Sequence, residues 1–211
     1  MTILFHTRDG HRFDLENFEL SKICIDEIAN ALSNQGRYNG QTKQYYSVAQ
    51  HCVLLARYAK KMKMPLKDQK WLLLHDASEA YVGDIVYHLK NKLSFFKELE
   101  DKALRDIFWA FEVNFNCPEG VLKLDRLICI DEMTQLMSLV DPMLDPKQAL
   151  GIKIEKWSPA KAKKEYLKEV KRLKLKNKFR KVKNENFLTK WATQIWQGHS
   201  SGTVNGPLQG R

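Results

Sequence analysis

No stretch of this 211-residue chain approaches 18 consecutive apolar residues, so no segment is long enough to cross a bilayer as a helix. The opening residues, Met1-Thr2-Ile3-Leu4-Phe5-His6-Thr7-Arg8, lack a basic region followed by an apolar run, and do not read as a secretory signal. Cysteine is scarce: four residues, at 24, 52, 117 and 129, with no C-x-x-C pair. That spacing argues against a disulfide framework and against a cysteine-rich structural zinc cage. The expectation is four free thiols in a reducing cytoplasm. There is no internal repeat.

What is present is ordinary for a soluble globular domain: 44% hydrophobic and 28% charged residues, in a chain long enough to bury a core. The net charge of +10 is local. Between Ala160 and Lys183 there are 12 Lys/Arg and 2 Asp/Glu, and the remaining 23 basic and 23 acidic residues cancel. The excess therefore describes one segment, not the domain. Lysines opposite an apolar stripe are usually a solvated helix face. No aromatic interleaving of the kind that stacks single-stranded bases accompanies them.

The chain opens as a short β-hairpin, with 2–7 and 12–15 flanking Arg8-Asp9-Gly10, since Asp-Gly favours a tight turn. After that the periodicity is helical. Ile25, Ile28, Ala29 and Leu32 recur at i, i+3, i+4 and i+7, with Gly36 as a stop. A second helix is expected over 47–61, with Val48, Cys52, Leu55 and Ala59 on one face, and a third over 70–81. The third opens on the all-apolar Trp71-Leu72-Leu73-Leu74, a pattern that marks a central helix. Further helices are expected over 95–115, closed by Cys117-Pro118, and over 122–139. A last one starts at Ser158-Pro159, an N-cap serine with proline at the first helical position. Its apolar stripe is Tyr166, Val170 and Leu173. The reading is a compact all-α helical bundle over 1–176 with an N-terminal hairpin. A C-terminal extension over 177–199 and a disordered Gly/Ser-rich tail over 200–211 complete it.

The chemistry lies in Leu74-His75-Asp76-Ala77-Ser78-Glu79. A histidine and an aspartate inside an apolar helix need partners. Adjacent helical residues diverge by about 100°, so the pair grips one ion only if other helices complete the set. His51, near the start of the second helix, and Asp125, in the fifth, supply the remaining ligands. Two imidazoles and two carboxylates suit a borderline-hard divalent cation such as Mn²⁺, Co²⁺ or Mg²⁺, with Fe²⁺, Ni²⁺ or Zn²⁺ as further candidates. Glu79, at i+4 from His75, is placed to act beside the ion. The plainer readings are a buried His75–Asp76 hydrogen bond, Asp125 as a helix N-cap, and Glu79 in a salt bridge.

The ordered series His51, His75-Asp76, Asp125 resembles the HD-domain metal-dependent phosphohydrolases. The stretches Gly36-Arg37-Tyr38-Asn39-Gly40, Tyr46-Ser47-Val48-Ala49-Gln50-His51, His75-Asp76-Ala77-Ser78-Glu79-Ala80-Tyr81-Val82-Gly83-Asp84 and Asp125…Glu132 are similar to the small bacterial and phage branch. That branch includes 5′-deoxynucleotidases and dATP triphosphohydrolases. The resemblance covers roughly 20–170. It implies His51, His75, Asp76 and Asp125 as metal ligands, and Glu79 as the carboxylate that handles the proton of the attacking water. It implies Arg37 beside the nucleotide, in a catalytic and a binding role, with Tyr38 where the family often has tryptophan. Asp84 matches a residue reaching the sugar, Lys90 a phosphate-binding lysine, and Lys123 a family lysine shifted along the chain. Gly40-Gln41-Thr42 replaces the family's Gly-His-Thr, and His88 replaces a proline, so the departures cluster around the substrate pocket.

The function so implied is divalent-metal-dependent hydrolysis of deoxynucleotide or nucleotide mono- or triphosphates, in a cytoplasmic, self-associating enzyme without a membrane partner. Two alternatives stand beside it. One is a phosphodiesterase or pyrophosphohydrolase of cyclic nucleotides or alarmones. The other is a metal-stabilised module binding nucleic acid through the basic segment.

Overall fold

The computed structural model describes residues 3–90, 92–118 and 120–180, with the side chains of Tyr87 and His88 left aside. The expected tail over 200–211 and most of the 177–199 extension lie outside the described residues.

The N-terminal hairpin forms as the Asp9-Gly10 signal indicates. Strand β1 (Leu4–His6) pairs antiparallel with β2 (Arg12–Asp14), Phe5 opposite Phe13. Gly10 takes the left-handed φ of +82° that the turn requires. Among the described residues eight α-helices follow: α1 (Ile25–Asn34), α2 (Val48–Lys61), α3 (Leu66–Leu74), α4 (Glu79–Val82), α5 (Tyr87–Lys90), α6 (Ser94–Ala110), α7 (Val121–Leu136) and α8 (Pro159–Arg172). The described residues are thus mostly helical with one small two-stranded sheet. Among the described residues no helix is long and apolar enough to cross a membrane. All four cysteines are free thiols.

The core is built from the faces the periodicity marks. Val48, Cys52, Leu55 and Ala59 of α2 are fully buried, as are Leu72, Leu73 and Leu74 of α3. Burying each of these leucines contributes about 1.5–3 kcal/mol. Ser47 caps α2 by accepting from Gln50 N, and Ser158 caps α8 by accepting from Lys161 N, with Pro159 at the first position. Tyr166, Val170 and Leu173 are buried, and the Tyr166 hydroxyl donates to the Leu73 carbonyl at 2.9 Å. This bond ties α8 to α3. Helix α2 packs against α3 and α8, and α7 closes onto both α2 and α3.

Much of the basic segment is engaged with the protein itself. Lys163 pairs with Asp26 at 2.9 Å and Lys161 with Glu155 at 3.2 Å. Glu169, nearly fully buried, is held by Arg57 at 2.9 Å and by Arg172 at 2.5 Å. The packed body also continues past 176. Asn177 donates to the Leu20 and Ile23 carbonyls, and Lys178 N donates to Ala110 O.

Helix ends differ from the expectations in three places. Helix α6 stops at Ala110, not 115, because Glu112 adopts a left-handed φ of +55°. Helix α7 stops at Leu136, where Met137 turns extended. The expected single helix over 70–81 starts earlier, at Leu66 just after Pro65, and breaks after Leu74. That last difference shapes the site.

Candidate metal centre

The break after Leu74 lets neighbouring side chains converge. His75 Nδ1 bonds the Leu72 carbonyl at 2.9 Å, the acceptor a continuing helix would offer to the Asp76 amide. The chain tightens instead into three-residue steps, Ala77 N to Leu74 O at 2.8 Å and Glu79 N to Asp76 O at 3.0 Å. It restarts as α4 and ends at Gly83, whose φ is +84°. His75 and Asp76, expected about 100° apart on one helix, here bring Nε2 and Oδ1 within 3.2 Å.

Helices α2 and α7 deliver the other two candidate ligands, His51 and Asp125. His51 Nε2 lies 3.3 Å from His75 Nε2, 3.0 Å from Asp125 Oδ1 and 3.7 Å from Asp76 Oδ2. His75 Nε2 lies 3.5 Å from Asp125 Oδ1. Two donors, each about 2.1 Å from one ion, stand about 3.0 Å apart at right angles and about 3.4 Å apart at the tetrahedral angle. His51 Nε2, His75 Nε2 and Asp125 Oδ1, 3.0 to 3.5 Å apart, therefore fit a single shared cation, and Asp76 lies beside them with Oδ1 toward His75 and Oδ2 toward His51. Asp125 is the fifth residue of α7, and Gly120 occupies the N-cap position. The capping reading of Asp125 is thereby excluded. Its side chain is 39% exposed against 0% for His51 and 6% for His75, so the site opens to solvent past Asp125.

The tautomers follow from the partners. His51 Nδ1 is 2.6 Å from Glu132 Oε1, and His75 Nδ1 faces the Leu72 carbonyl. Each ring commits Nδ1 to an acceptor and turns Nε2 toward the other ring, the arrangement of metal-ligating histidines. Burial pushes the His75 imidazole down, but Asp76 and Asp125 outweigh it and hold it well above its usual range. Burial pushes Asp76 up, while His75 and His51 win and bring it down to about 2. The cluster thus attracts positive charge to the point between its donors.

Cys52 is a neighbour the periodicity placed only in the core. Its Sγ is 3.8 Å from Asp76 Oδ2 and 4.0 Å from His75 Nδ1, and Cys52, His75 and Asp76 form a second metal-competent grouping. Burial raises the thiol to about 12, so it stays protonated, whereas thiolate is the ligating form. It also faces the His75 nitrogen already bonded to Leu72.

Glu132 organises the rest. Fully buried, it accepts from His51, from Tyr46 Oη at 2.8 Å and from Tyr38 Oη at 2.5 Å, and lies 3.4 Å from Arg37 Nε. Burial pushes its carboxyl up; Arg37 and His51 outweigh that and hold it at about 2. A function for this carboxylate was missing from the sequence reading. The signal was its place seven residues, or two turns, after Asp125 on the same face of α7.

The other expected residues divide. Glu79 is buried, its Oε2 has no hydrogen-bond partner, and Lys90 Nζ is 3.8 Å from Oε1. Burial, Asp76 and Asp84 hold its carboxyl well above the usual range. Arg37 reaches Asp76 at 3.5 Å, and its Nε has no hydrogen-bond partner. It is delivered by Tyr38, Asn39 and Gly40, three successive left-handed residues. The Tyr38 hydroxyl is committed to Glu132, leaving its ring 5.6 Å from the Arg37 guanidinium. Asp84 lies half-buried, raised by burial and within the field of Arg37, Asp76 and Lys90. Lys90 pairs with Glu100 at 2.7 Å. Lys123 is exposed, and two positions before Asp125 put it about 200° around α7. It is not brought to the cluster.

No family model matches the chain. Over 96 residues the chain is 38% identical to the uncharacterized protein YfdR of Escherichia coli, a match covering 46% of this chain and 51% of that protein. Over 108 residues it is 34% identical to an uncharacterized protein of Rhodobacter capsulatus, covering 48% of this chain and 55% of the relative. The chain is thus similar to two bacterial proteins described as uncharacterized, and its matches span about half the length of each.

Proposed function

We propose that the chain is an HD-domain hydrolase of nucleotide phosphates, deoxynucleotides foremost, that works with one divalent cation. The observation carrying this reading is the pair of Nε2 atoms at 3.3 Å beside the Asp76 and Asp125 carboxylates, with both Nδ1 atoms already committed. Without a cation these carboxylates favour protons on the imidazoles instead.

His51, His75, Asp76 and Asp125 would hold the ion. When bound, the ion supplies Lewis-acid polarisation of a phosphoryl oxygen and acidifies water at the site. Glu79 then accepts a proton from the attacking water as the water oxygen bonds to phosphorus. It returns the proton to the oxygen that leaves. Its elevated affinity for protons, set by burial and by Asp76, suits both halves of that exchange. Lys90 sits beside it and keeps the deprotonated state accessible. Arg37, beside Asp76 at 3.5 Å, neutralises charge gathering on the phosphoryl oxygens. Asp84, half-buried beside these groups, is placed to meet the sugar, the role its family resemblance implies.

The test is a screen of dNMPs, dNTPs, NTPs, cyclic nucleotides and alarmones against Mg²⁺, Mn²⁺ and Co²⁺, with products separated by chromatography. Release of phosphate, pyrophosphate or triphosphate from at least one deoxynucleotide, abolished by a chelator, is the expected result. Turnover confined to cyclic nucleotides or alarmones would favour the first alternative enzyme. No turnover with any ion would remove the hydrolase reading.

A further inference from the structure

At the far end of α3 from His75 lies an open hollow of about 280 Å³. That is close to the lower end of the range of about 300–1,000 Å³ typical of small-molecule pockets. Lys67 and Lys70 from α3, and Arg172 and Lys174 from the end of α8, line it, against one acid, Glu112. The formal charge around it is +3. Leu66, Val113 and Leu173 supply apolar wall.

Arg172 distinguishes this hollow from a patch of solvated lysines. Its Nε donates to Glu169 Oε2 at 2.5 Å and its Nη1 to Gln69 Oε1 at 2.7 Å. Gln69 is itself fixed through Nε2 to the Met64 carbonyl at 2.8 Å. The guanidinium plane is therefore locked. Its third nitrogen, Nη2, is buried and has no hydrogen-bond partner. A buried donor left unpaired costs free energy and calls for an acceptor. A fixed guanidinium with a spare donor among three lysines matches an oxyanion carrying several charges.

We propose that this hollow is a binding site for a phosphorylated small molecule, separate from the metal centre. Arg172 Nη2 donates to a phosphate oxygen, Lys67, Lys70 and Lys174 neutralise the remaining charge, and the apolar wall lies alongside the rest of the ligand. Lys67 and Lys70 precede His75 by eight and five residues, about 12 and 7.5 Å along the axis of α3 at 1.5 Å per residue. Occupancy of this site does not require a metal ion.

The experiment is calorimetric titration of the full, chelator-treated chain with inorganic tripolyphosphate. Four chains are compared: the unaltered chain, Lys67→Gln/Lys70→Gln, Arg172→Gln and Asp125→Asn. The expected result is binding near one per chain, weakened at least tenfold by the lysine pair and by Arg172→Gln, and unchanged by Asp125→Asn. The lysine pair is at the surface and is expected to leave the thermal midpoint unchanged, so its loss of binding is not a loss of fold. Equal affinity in the lysine pair and the unaltered chain overturns the proposal, as does loss of binding in Asp125→Asn. A 20-nucleotide single strand binding more than tenfold tighter than tripolyphosphate, with the same dependence on Lys67 and Lys70, would also overturn it. That outcome would make the hollow part of a nucleic-acid surface.

Discussion

Glu132 Oε1 accepts from His51 Nδ1 at 2.6 Å, with both side chains fully buried. This bond fixes which imidazole nitrogen faces the other ligands. It also gives α7 two duties two turns apart, since Asp125 enters the cluster directly and Glu132 aims His51. Glu132→Gln keeps the shape and removes the charge. Losing a carboxylate behind a ligating histidine typically costs about 10–100-fold in metal affinity. Titration of the chelator-treated variant with Mn²⁺ should show a loss of that order. Affinity equal to the unaltered chain would mean that the bond does not serve the metal site.

The same carboxylate sets an acid limit. It is held at about 2 against an ordinary value of 4.5. Because the folded value is depressed, its contribution to stability is fully present above about 4.5 and is lost as pH falls toward about 2. Asp76, also brought down to about 2 from 3.8, acts in the same direction. Thermal midpoints of the metal-free chain should fall across that window, and Glu132→Gln should show a shallower fall. Parallel curves for the two proteins would contradict the assignment.

Glu79→Gln separates proton handling from metal holding. It should lower kcat by about 10²–10⁴-fold, the usual contribution of a general acid–base group, while the metal content per chain stays the same. Turnover and metal content measured on one preparation check both. Undiminished turnover would remove Glu79 from the chemistry.

Tyr166→Phe tests how α8 supports the site. The hydroxyl donates to the Leu73 carbonyl, one residue from the end of α3. Its removal leaves a buried carbonyl unpaired, at a cost of about 1–3 kcal/mol. For a chain of this size each kcal/mol lowers the thermal midpoint by about 2–4 °C. Metal stoichiometry should be unaffected, because the hydroxyl bonds a backbone carbonyl and none of the candidate ligands. A variant as stable as the unaltered chain would show that this bond does not anchor α8.

The residues with periodic or capping signals were readable from the sequence. Ser47 and Ser158 cap the helices expected of them, and the all-apolar Trp71–Leu74 segment lies in the core. His51, His75, Asp76 and Asp125 meet because three helices bring them together, and their types and surroundings marked them in advance. The break after Leu74 was not legible. It arises when the His75 ring takes the Leu72 carbonyl, a side-chain choice that hydrophobic periodicity does not encode. Glu132 was likewise read only as part of a spacing, since its partners Tyr38, Tyr46 and His51 lie more than 80 residues earlier in the chain. Lys123 is exposed and lies on another face of α7 from Asp125.

The most direct test of the account is the metal content of the chelator-treated chain after titration with Mn²⁺, measured beside His75→Ala and Asp125→Ala. One ion per chain, lost or weakened at least a hundredfold in both variants, is the result predicted. A chain that binds no divalent ion, or variants that retain one ion per chain with undiminished affinity, would contradict it.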